Sequence, residues 1–434
     1  MRILSGFRPL WALAAAIVIF GLVVAGRLLW PPPSLSAEAN PRLSLRSLTT
    51  TEARIARLQE ALRLNPDNTA AYAQLGLTLL ERAAITADAS LYNQAEAALG
   101  RAIQDAPQNF DALIGQGLLA LARHDFRTAL TWGEQAKAIN AHNVRVYGII
   151  ADAQIELGQY EAAAATIDTM LATRPGLATY SRLSYLRELN GDPTGAMAAM
   201  RLAVDSSLLG TADSLWAQVH LAQLYFNQGD LDQAETLYTE ALTLKPDYVH
   251  ALAGLAGIRA AQGNYDEAIA YYQTVVTMLP LPSYLIALGD LYQVTGQDQA
   301  AQQQYDLVQA IDRLNMEAGM NSDLEMALFR ADHHLQPAQT VEQARRAYQN
   351  RPTIYGADGL AWALYQNGDY PAAARYSRAA LRLGTQDAAL YFHAGKIYDA
   401  LGQTAQARAQ FQRALEINPY FSLRYAPQAR QAIE

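Results

Sequence analysis

Apolar and polar positions along this chain follow a pattern that itself repeats. The stretch GNYDEAIAYYQTVVTMLP (263–280) returns as GDLDQAETLYTEALTLKP (229–246) and again as GQTAQARAQFQRALEINP (402–419). The wording varies while a leading glycine, a late small residue and a closing proline keep their places, so the repetition is one of geometry. Aligned on those positions, a late residue recurs at Ala61, Ala102, Ala136, Met170, Ala203, Ala241, Val275, Val308, Ala347, Ala380 and Ala414, mostly 33 or 34 residues apart. The same frame places a small residue earlier in the unit, at Gly76, Gly117, Ala151, Ser184, Ala222, Ala256, Gly289, Ala361 and Gly395, with Leu328 as the exception.

Two helices per unit satisfy this spacing. Small residues on both let the axes approach closely, and larger side chains such as Tyr238, Tyr272, Tyr305 and Phe411 fill the ridges between them. A glycine followed by a polar residue, as in Gly191-Asp192, Gly229-Asp230 and Gly368-Asp369, suits a left-handed end to the first helix and a capped start to the second. Prolines at 66, 107, 175, 246, 280, 352 and 419 lack an N–H and stop the second helix. Ten units follow, beginning near Thr69, Phe110, Val144, Leu177, Leu215, Val249, Pro282, Asn321, Ile354 and Ala388. A lone helix over 51–64 precedes them, and SLRYAPQARQAIE makes a polar capping helix at the end. TADASLY near Ala87, SSLLGTAD and NMEAGMNSD break the period and are expected to be loops. The third divides the array into segments 51–311 and 312–434.

A 34-residue period built from helix pairs resembles the tetratricopeptide repeat family over about residues 52–420. The resemblance implies an all-α superhelical solenoid whose first helices line a concave groove for an extended or helical peptide. It places Arg145, Asp152, Glu156 and Tyr185 inward on the third and fourth units. Trp216, Phe226, Asn227 and His250 follow on the fifth and sixth, then Asp290, Phe329, Trp362, Tyr365, Phe392 and Lys396 on the seventh to tenth. The family's carboxylate clamps pair Lys, Arg and Asn on successive first helices, whereas these positions are mostly aromatic, acidic or small. An apolar or weakly basic segment is therefore the expected ligand. Trp216 and Trp362 either anchor such a ligand or pack against a neighbouring helix.

Composition narrows the function classes. The chain has 434 residues, 51% of them hydrophobic and 17% charged, with a formal net charge of −8, which leaves no basic footprint for a nucleic-acid backbone. There are no cysteines, hence no disulfide, thiolate nucleophile or thiolate metal site. His333-His334, with Asp323, Glu325 and Asp332, lacks the one-turn spacing of a metal site and reads as a solvated helix end. No P-loop, G-x-G-x-x-G, G-x-S-x-G or zinc-type spacing occurs. No catalytic residue, cofactor, metal or small-molecule substrate is expected, and the chain reads as a non-enzyme.

The N-terminus differs in kind. PLWALAAAIVIFGLVVAG (9–26) is uncharged, and at 1.5 Å per residue it nearly spans a hydrocarbon core of about 30 Å. Arg2 and Arg8 precede it and Trp11 and Trp30 flank it, which predicts an anchor over 1–30 with its start in the cytoplasm. A cleaved signal peptide ending at Ala37–Ala39 is the alternative, but the apolar run is long for one. Pro31 to Pro33 open a stiff linker over 31–50. The combined expectation is a single-pass membrane protein with an extracytoplasmic body that scaffolds envelope proteins by binding protein or peptide segments. A non-catalytic, substrate-positioning subunit of an envelope enzyme is the alternative, and self-association through an end helix a further option.

Overall fold

Each expected break in the pattern is a chain reversal in the computed structural model, which describes residues 42–434. Helix α1 (Arg42–Leu64) precedes ten helix pairs. The first five are α2 (Thr69–Thr86) with α3 (Ser90–Asp105), α4 (Phe110–Ala122) with α5 (Phe126–Ile139), α6 (Val144–Glu156) with α7 (Tyr160–Thr173), α8 (Leu177–Leu189) with α9 (Pro193–Asp205), and α10 (Ala212–Asn227) with α11 (Leu231–Leu244). The others are α12 (Val249–Ala261) with α13 (Tyr265–Met278), α14 (Pro282–Val294) with α15 (Asp298–Glu317), α16 (Asp323–Asp332) with α17 (Pro337–Asn350), α18 (Ile354–Gln366) with α19 (Tyr370–Ala380), and α20 (Ala388–Ala400) with α21 (Thr404–Ile417). A last helix, α22 (Ala426–Ile433), closes the array, and no strand occurs among the described residues. Residues 44–434 form one compact unit. The expected anchor at 1–30 and the expected linker as far as residue 41 lie outside the described residues, whereas residues 42–50, expected as linker, are helical and extend the lone helix expected over 51–64 to start at Arg42. Among the described residues, no helix is long and apolar enough to cross a membrane.

The local rules account for the boundaries. At the turn inside the third pair, Gly158 adopts φ 69°, and the N–H of Gln159 reaches back to the Gln154 carbonyl, closing α6. Asp125, Asp192, Asp230 and Asp369 then cap the second helices with their side chains, each accepting from a backbone N–H three residues on. Each closing proline stands two residues past a second helix, and the residue before it is extended, as at Arg174 (φ −154°, ψ 88°) and Arg351 (φ −127°, ψ 78°).

Two unit starts move. The fifth unit begins at Ala212 because Thr211 caps it, accepting from the Ser214 N–H. In the eighth, His334 rather than a glycine takes the left-handed turn position (φ 53°), so the register counts back to Ala327, not Leu328. Ala327 is fully buried against Val341 and Ala344, and the expected exception disappears. The insertions near Ala87 and before the eighth unit lengthen α2 and α15 rather than forming loops throughout, and α15 runs unbroken through residue 312 to Glu317.

Within the last pair, a ring of the second helix lies over the small residue of the first. A Cβ at Gly395 would stand 2.5 Å from the Phe411 ring, which is itself buried. Gly395→Ala is therefore expected to cost about 1–3 kcal/mol by overpacking. An unchanged urea midpoint would show that the last pair tolerates the shift.

The superhelix returns onto itself. Contacts join residues 192 to 197 apart, between the inner turn of one unit and the closing loop five units later. His124 Nδ1 lies 2.9 Å from the Asn321 carbonyl, and Arg123 Nε donates to the Ala318 carbonyl at 2.9 Å. Tyr160 Oη accepts from the Ile354 N–H at 3.1 Å, and the Thr385 hydroxyl donates to the Leu189 carbonyl. Asn418 Nδ2 donates to the Phe226 carbonyl at 2.9 Å. A Cβ on Gly158 would lie 2.6 Å from the Pro352 carbonyl oxygen, so the turn glycine also lets the second turn of the superhelix settle on the first.

Candidate functional site

The first helices α6, α8, α10, α12 and α14 leave two adjoining hollows on the concave face, of about 690 Å3 and 520 Å3. Trp216, His220 and Gln223 of α10 line both. The smaller hollow is aromatic and carries no charged side chain. Its shape depends on α12: Gly254 accommodates the Tyr238 ring, and a Cβ on Gly257 would still be 3.7 Å from Tyr272 Oη and 3.8 Å from the Phe226 ring. The space over Gly257 is thus open and edged by rings and a hydroxyl. Burial pushes the Tyr248 and Tyr284 phenols up to about 12, so they stay protonated.

Both histidines of this hollow are held neutral. His220 donates from Nδ1 to the Trp216 carbonyl at 2.8 Å, one helical turn back, which leaves Nε2 as an acceptor. Its ring tilts over Trp216 with centroids 3.9 Å apart. His250 shares a 2.6 Å hydrogen bond between Nδ1 and Tyr284 Oη. Desolvation by the surrounding concave wall lowers the pKa of each, even though the His220 side chain itself is open to the groove. Trp216 is 38% exposed, an unusual state for so large an apolar ring.

The larger hollow is acidic. Arg182 on α8 binds Asp152 on α6 bidentately, at 2.8 Å and 2.6 Å. Glu188, one turn beyond Tyr185, accepts from Asn227 Nδ2 at 3.4 Å, and burial raises its pKa. Asp213 stands at the start of α10.

Six of the residues expected in the groove therefore come together here: Asp152, Tyr185, Trp216, Phe226, Asn227 and His250. Arg145 lies apart, 3.5 Å from Asp111 beside another hollow, and Glu156 is drawn into an ion pair between superhelical turns. The remaining expected positions are covered by the chain itself. Phe329, Trp362 and Phe392 are buried, with Tyr365 stacked on Trp362 at 4.9 Å. Counted from Leu328, Phe329 would face inward; counted from Ala327 it falls on the core side. Lys396 is half-buried on α20. His220, Arg182 and Glu188 were missed, although each lies three or four residues from an expected or lining residue on the same helical face.

The covering segment is the stretch before α22. Tyr425 stacks on Phe392 (4.7 Å) and donates from its hydroxyl to Asp332 Oδ1 at 2.8 Å. Arg424 donates to the Asp332 carbonyl at 2.7 Å and lies 3.8 Å from Asp290. His333 is not a solvated end: its ring packs on Tyr305 at 4.3 Å, and burial pushes its pKa down to about 4. Among the described residues, no cluster of His, Asp or Glu is arranged to hold a metal.

Asp290 gives a pH-dependent prediction. Burial raises its pKa from 3.8 to about 6, while the Tyr305 hydroxyl donates to it at 2.8 Å. A folded pKa above the unfolded one contributes stability at low pH that is lost as pH rises through 6. Asp290→Asn is therefore expected to stabilise the fold at pH 8 by on the order of 2 kcal/mol and to change nothing near pH 4. Urea melts of variant and wild type at both pH values isolate this from His333, whose shift has the opposite sign. A variant less stable at pH 8 would overturn the assignment.

The Tetratricopeptide repeat family matches residues 87–144, 220–281 and 359–420, and a second description of the same repeat matches 120–184, together about half the chain. The chain belongs to the tetratricopeptide repeat family. Its tetratricopeptide array is similar to part of mouse (Mus musculus) Protein O-mannosyl-transferase TMTC1, 36% identical over 67 residues, which is 14% of this chain and 7% of that protein. It is also similar to the Arabidopsis thaliana Protein CTR9 homolog, 23% identical over 248 residues, 48% of this chain and 22% of that protein. The chain thus spans less than a quarter of the length of either relative. Among solved structures, the thermophilic TPR protein TTC0263 of Thermus thermophilus is 20% identical with a TM-score of 0.38, covering 48% of this chain and 99% of that one. Tetratricopeptide repeat proteins generally mediate protein–protein interaction and scaffolding.

Proposed function

We propose that this tetratricopeptide protein is a non-catalytic scaffold whose first superhelical turn holds a segment of a partner protein against α8, α10 and α12. The observation that carries this reading is the contrast between the two turns. The concave face is filled by the chain's own residues around Tyr425 in the last units, yet stands open over Trp216, where a large ring is presented to solvent. Open aromatic surface with converging polar groups is what a docked segment would use.

The uncharged run at 9–26 supports a further part of the proposal, that the array is tethered to a bacterial cytoplasmic membrane with its body outside. Tethering would raise the effective concentration of a weakly bound envelope protein near the bilayer. The test is affinity capture from membranes with the full chain and with Trp216→Ala or His250→Ala, alongside protease accessibility in spheroplasts and inside-out vesicles. Specific partners lost in both variants, with the array cleaved only in spheroplasts, are the expected results. Identical capture by the variants would overturn the groove assignment, and cleavage only in inside-out vesicles would overturn the orientation.

A further inference from the structure

We infer that the open groove selects a partner segment in which an arginine or lysine stands beside an aromatic residue. This rests on the groove being the partner-binding face. Two independent features of the chain point to that chemistry.

The first is the chain's own use of the same face. In the later units, Arg424 inserts between Asp290 and the Asp332 carbonyl while Tyr425 stacks on Phe392 and meets Trp362 edge-on, with centroids 5.8 Å apart. Asp290 and Trp362 each follow the small residue of their helix by one position, after Gly289 and Ala361. The matching positions after Ala151 and Ser184 are Asp152 and Tyr185, which line the open hollow. One helical face thus presents carboxylate and ring in both turns. In one they are covered by the cation and ring of the C-terminal stretch, and in the other Asp152 meets only Arg182 and the hollow beside it stands open.

The second is charge. The larger hollow holds the carboxylates of Asp152, Glu188 and Asp213 against a single guanidinium, Arg182, and Asp152 already takes both arms of that group. Among the described residues, neither Glu188 nor Asp213 has an ion-pair partner. A partner cation would restore the ionised Glu188 that burial disfavours. It would also lie beside the exposed face of Trp216, where a cation gains from the ring. The neighbouring hollow has no charge and space over Gly257, so it suits the aromatic side chain. The helix rows that carry the two hollows are roughly 10 Å apart, about three residues of extended chain, so cation and ring belong close together in sequence.

The experiment titrates the full chain against a fluorescein-labelled nonapeptide, PYFSLRYAP, the sequence of residues 419–427, and reads anisotropy. The same peptide with glutamate in place of its arginine is the control. Saturable binding at least tenfold weaker for the glutamate peptide is expected, with a loss of about fivefold or more in Trp216→Ala and in Glu188→Gln. Both variants are first checked for unchanged circular dichroism; Glu188→Gln, a neutral isostere, keeps the test alive if the tryptophan variant fails to fold. Equal binding of both peptides would overturn the inference. So would binding unaffected by either variant, since the peptide would then be displacing the chain's own C-terminal segment. Concentration-dependent dimerisation in light scattering, lost in Trp216→Ala, would assign the groove to a second copy and also overturn it. If the peptides show no charge preference while membrane capture still depends on Trp216, the groove stands as a binding face and only its proposed chemistry fails.

Discussion

Replacing Arg351 with alanine is expected to cost about 3–5 kcal/mol, the range for breaking a largely buried ion pair and leaving its partner uncompensated. Arg351 sits in the closing loop after α17, held extended by Pro352, and points back across the superhelix. Its Nη2 and Nε atoms donate to Glu156 Oε2 at 2.7 Å and 3.0 Å, and Nη1 donates to Glu325 Oε1 at 2.7 Å. The guanidinium also lies 5.2 Å from the Phe126 ring centre. Three contacts from three units meet in one planar group, and only an arginine has donors to serve them together.

The consequence extends beyond one pair. In an ordinary repeat array each unit touches its neighbours alone, so stability is a sum of local terms and the array can fray unit by unit. Here the third unit is tied to the loop between the eighth and ninth, and similar links join the second, fourth and fifth units to later ones. Loss of Arg351 should therefore lower the urea slope as well as the midpoint, because the two turns would begin to open separately. Arg351→Lys keeps the charge but not the fork and should recover only part of the loss. A midpoint unchanged in Arg351→Ala would mean that the turns are held by backbone contacts alone.

Nothing in the repeat pattern announces these links. The pattern fixes what happens within about 34 residues: where small residues meet rings, where a left-handed residue ends a helix, where a proline ends the next. Eight of the ten unit starts follow from it as expected, and Ala212 and Asp323 shift by two or three residues because capping at Thr211 and the His334 turn are not visible in a glycine-and-proline frame. Which unit meets which across the superhelix depends instead on small rotations summed over five units, and no single spacing encodes that sum. The groove was legible for the same reason where it is local, at Tyr185, Trp216 and His250. At Phe392, expected inward, residues 421–425 return from the end of the chain to fill the face, and at Trp362 the second of the two open readings holds, since its ring is packed inside the chain.

Trp362 and Trp216, indistinguishable as groove candidates in the repeat pattern, should therefore behave oppositely. Trp362 is 1% exposed, stacked between Tyr365 at 4.9 Å and His393 at 4.1 Å, and donates from Nε1 to Asp332 Oδ1 at 2.8 Å. Trp362→Ala would leave a large cavity and remove one of the donors that hold the Asp332 carboxylate, with Tyr425 as the other, at an expected cost of about 3–5 kcal/mol. Trp362→Phe keeps most of the ring but loses the N–H, and about 1–2 kcal/mol is expected for that hydrogen bond. Trp216→Ala removes a ring that already meets solvent and should change stability by less than about 1 kcal/mol while abolishing capture of the partner. Urea melts and capture on the same three variants separate the two roles. If Trp362→Ala proved as stable as wild type but failed to capture, the ring would face a ligand after all, and the C-terminal segment covering it would have to leave the groove when a partner binds.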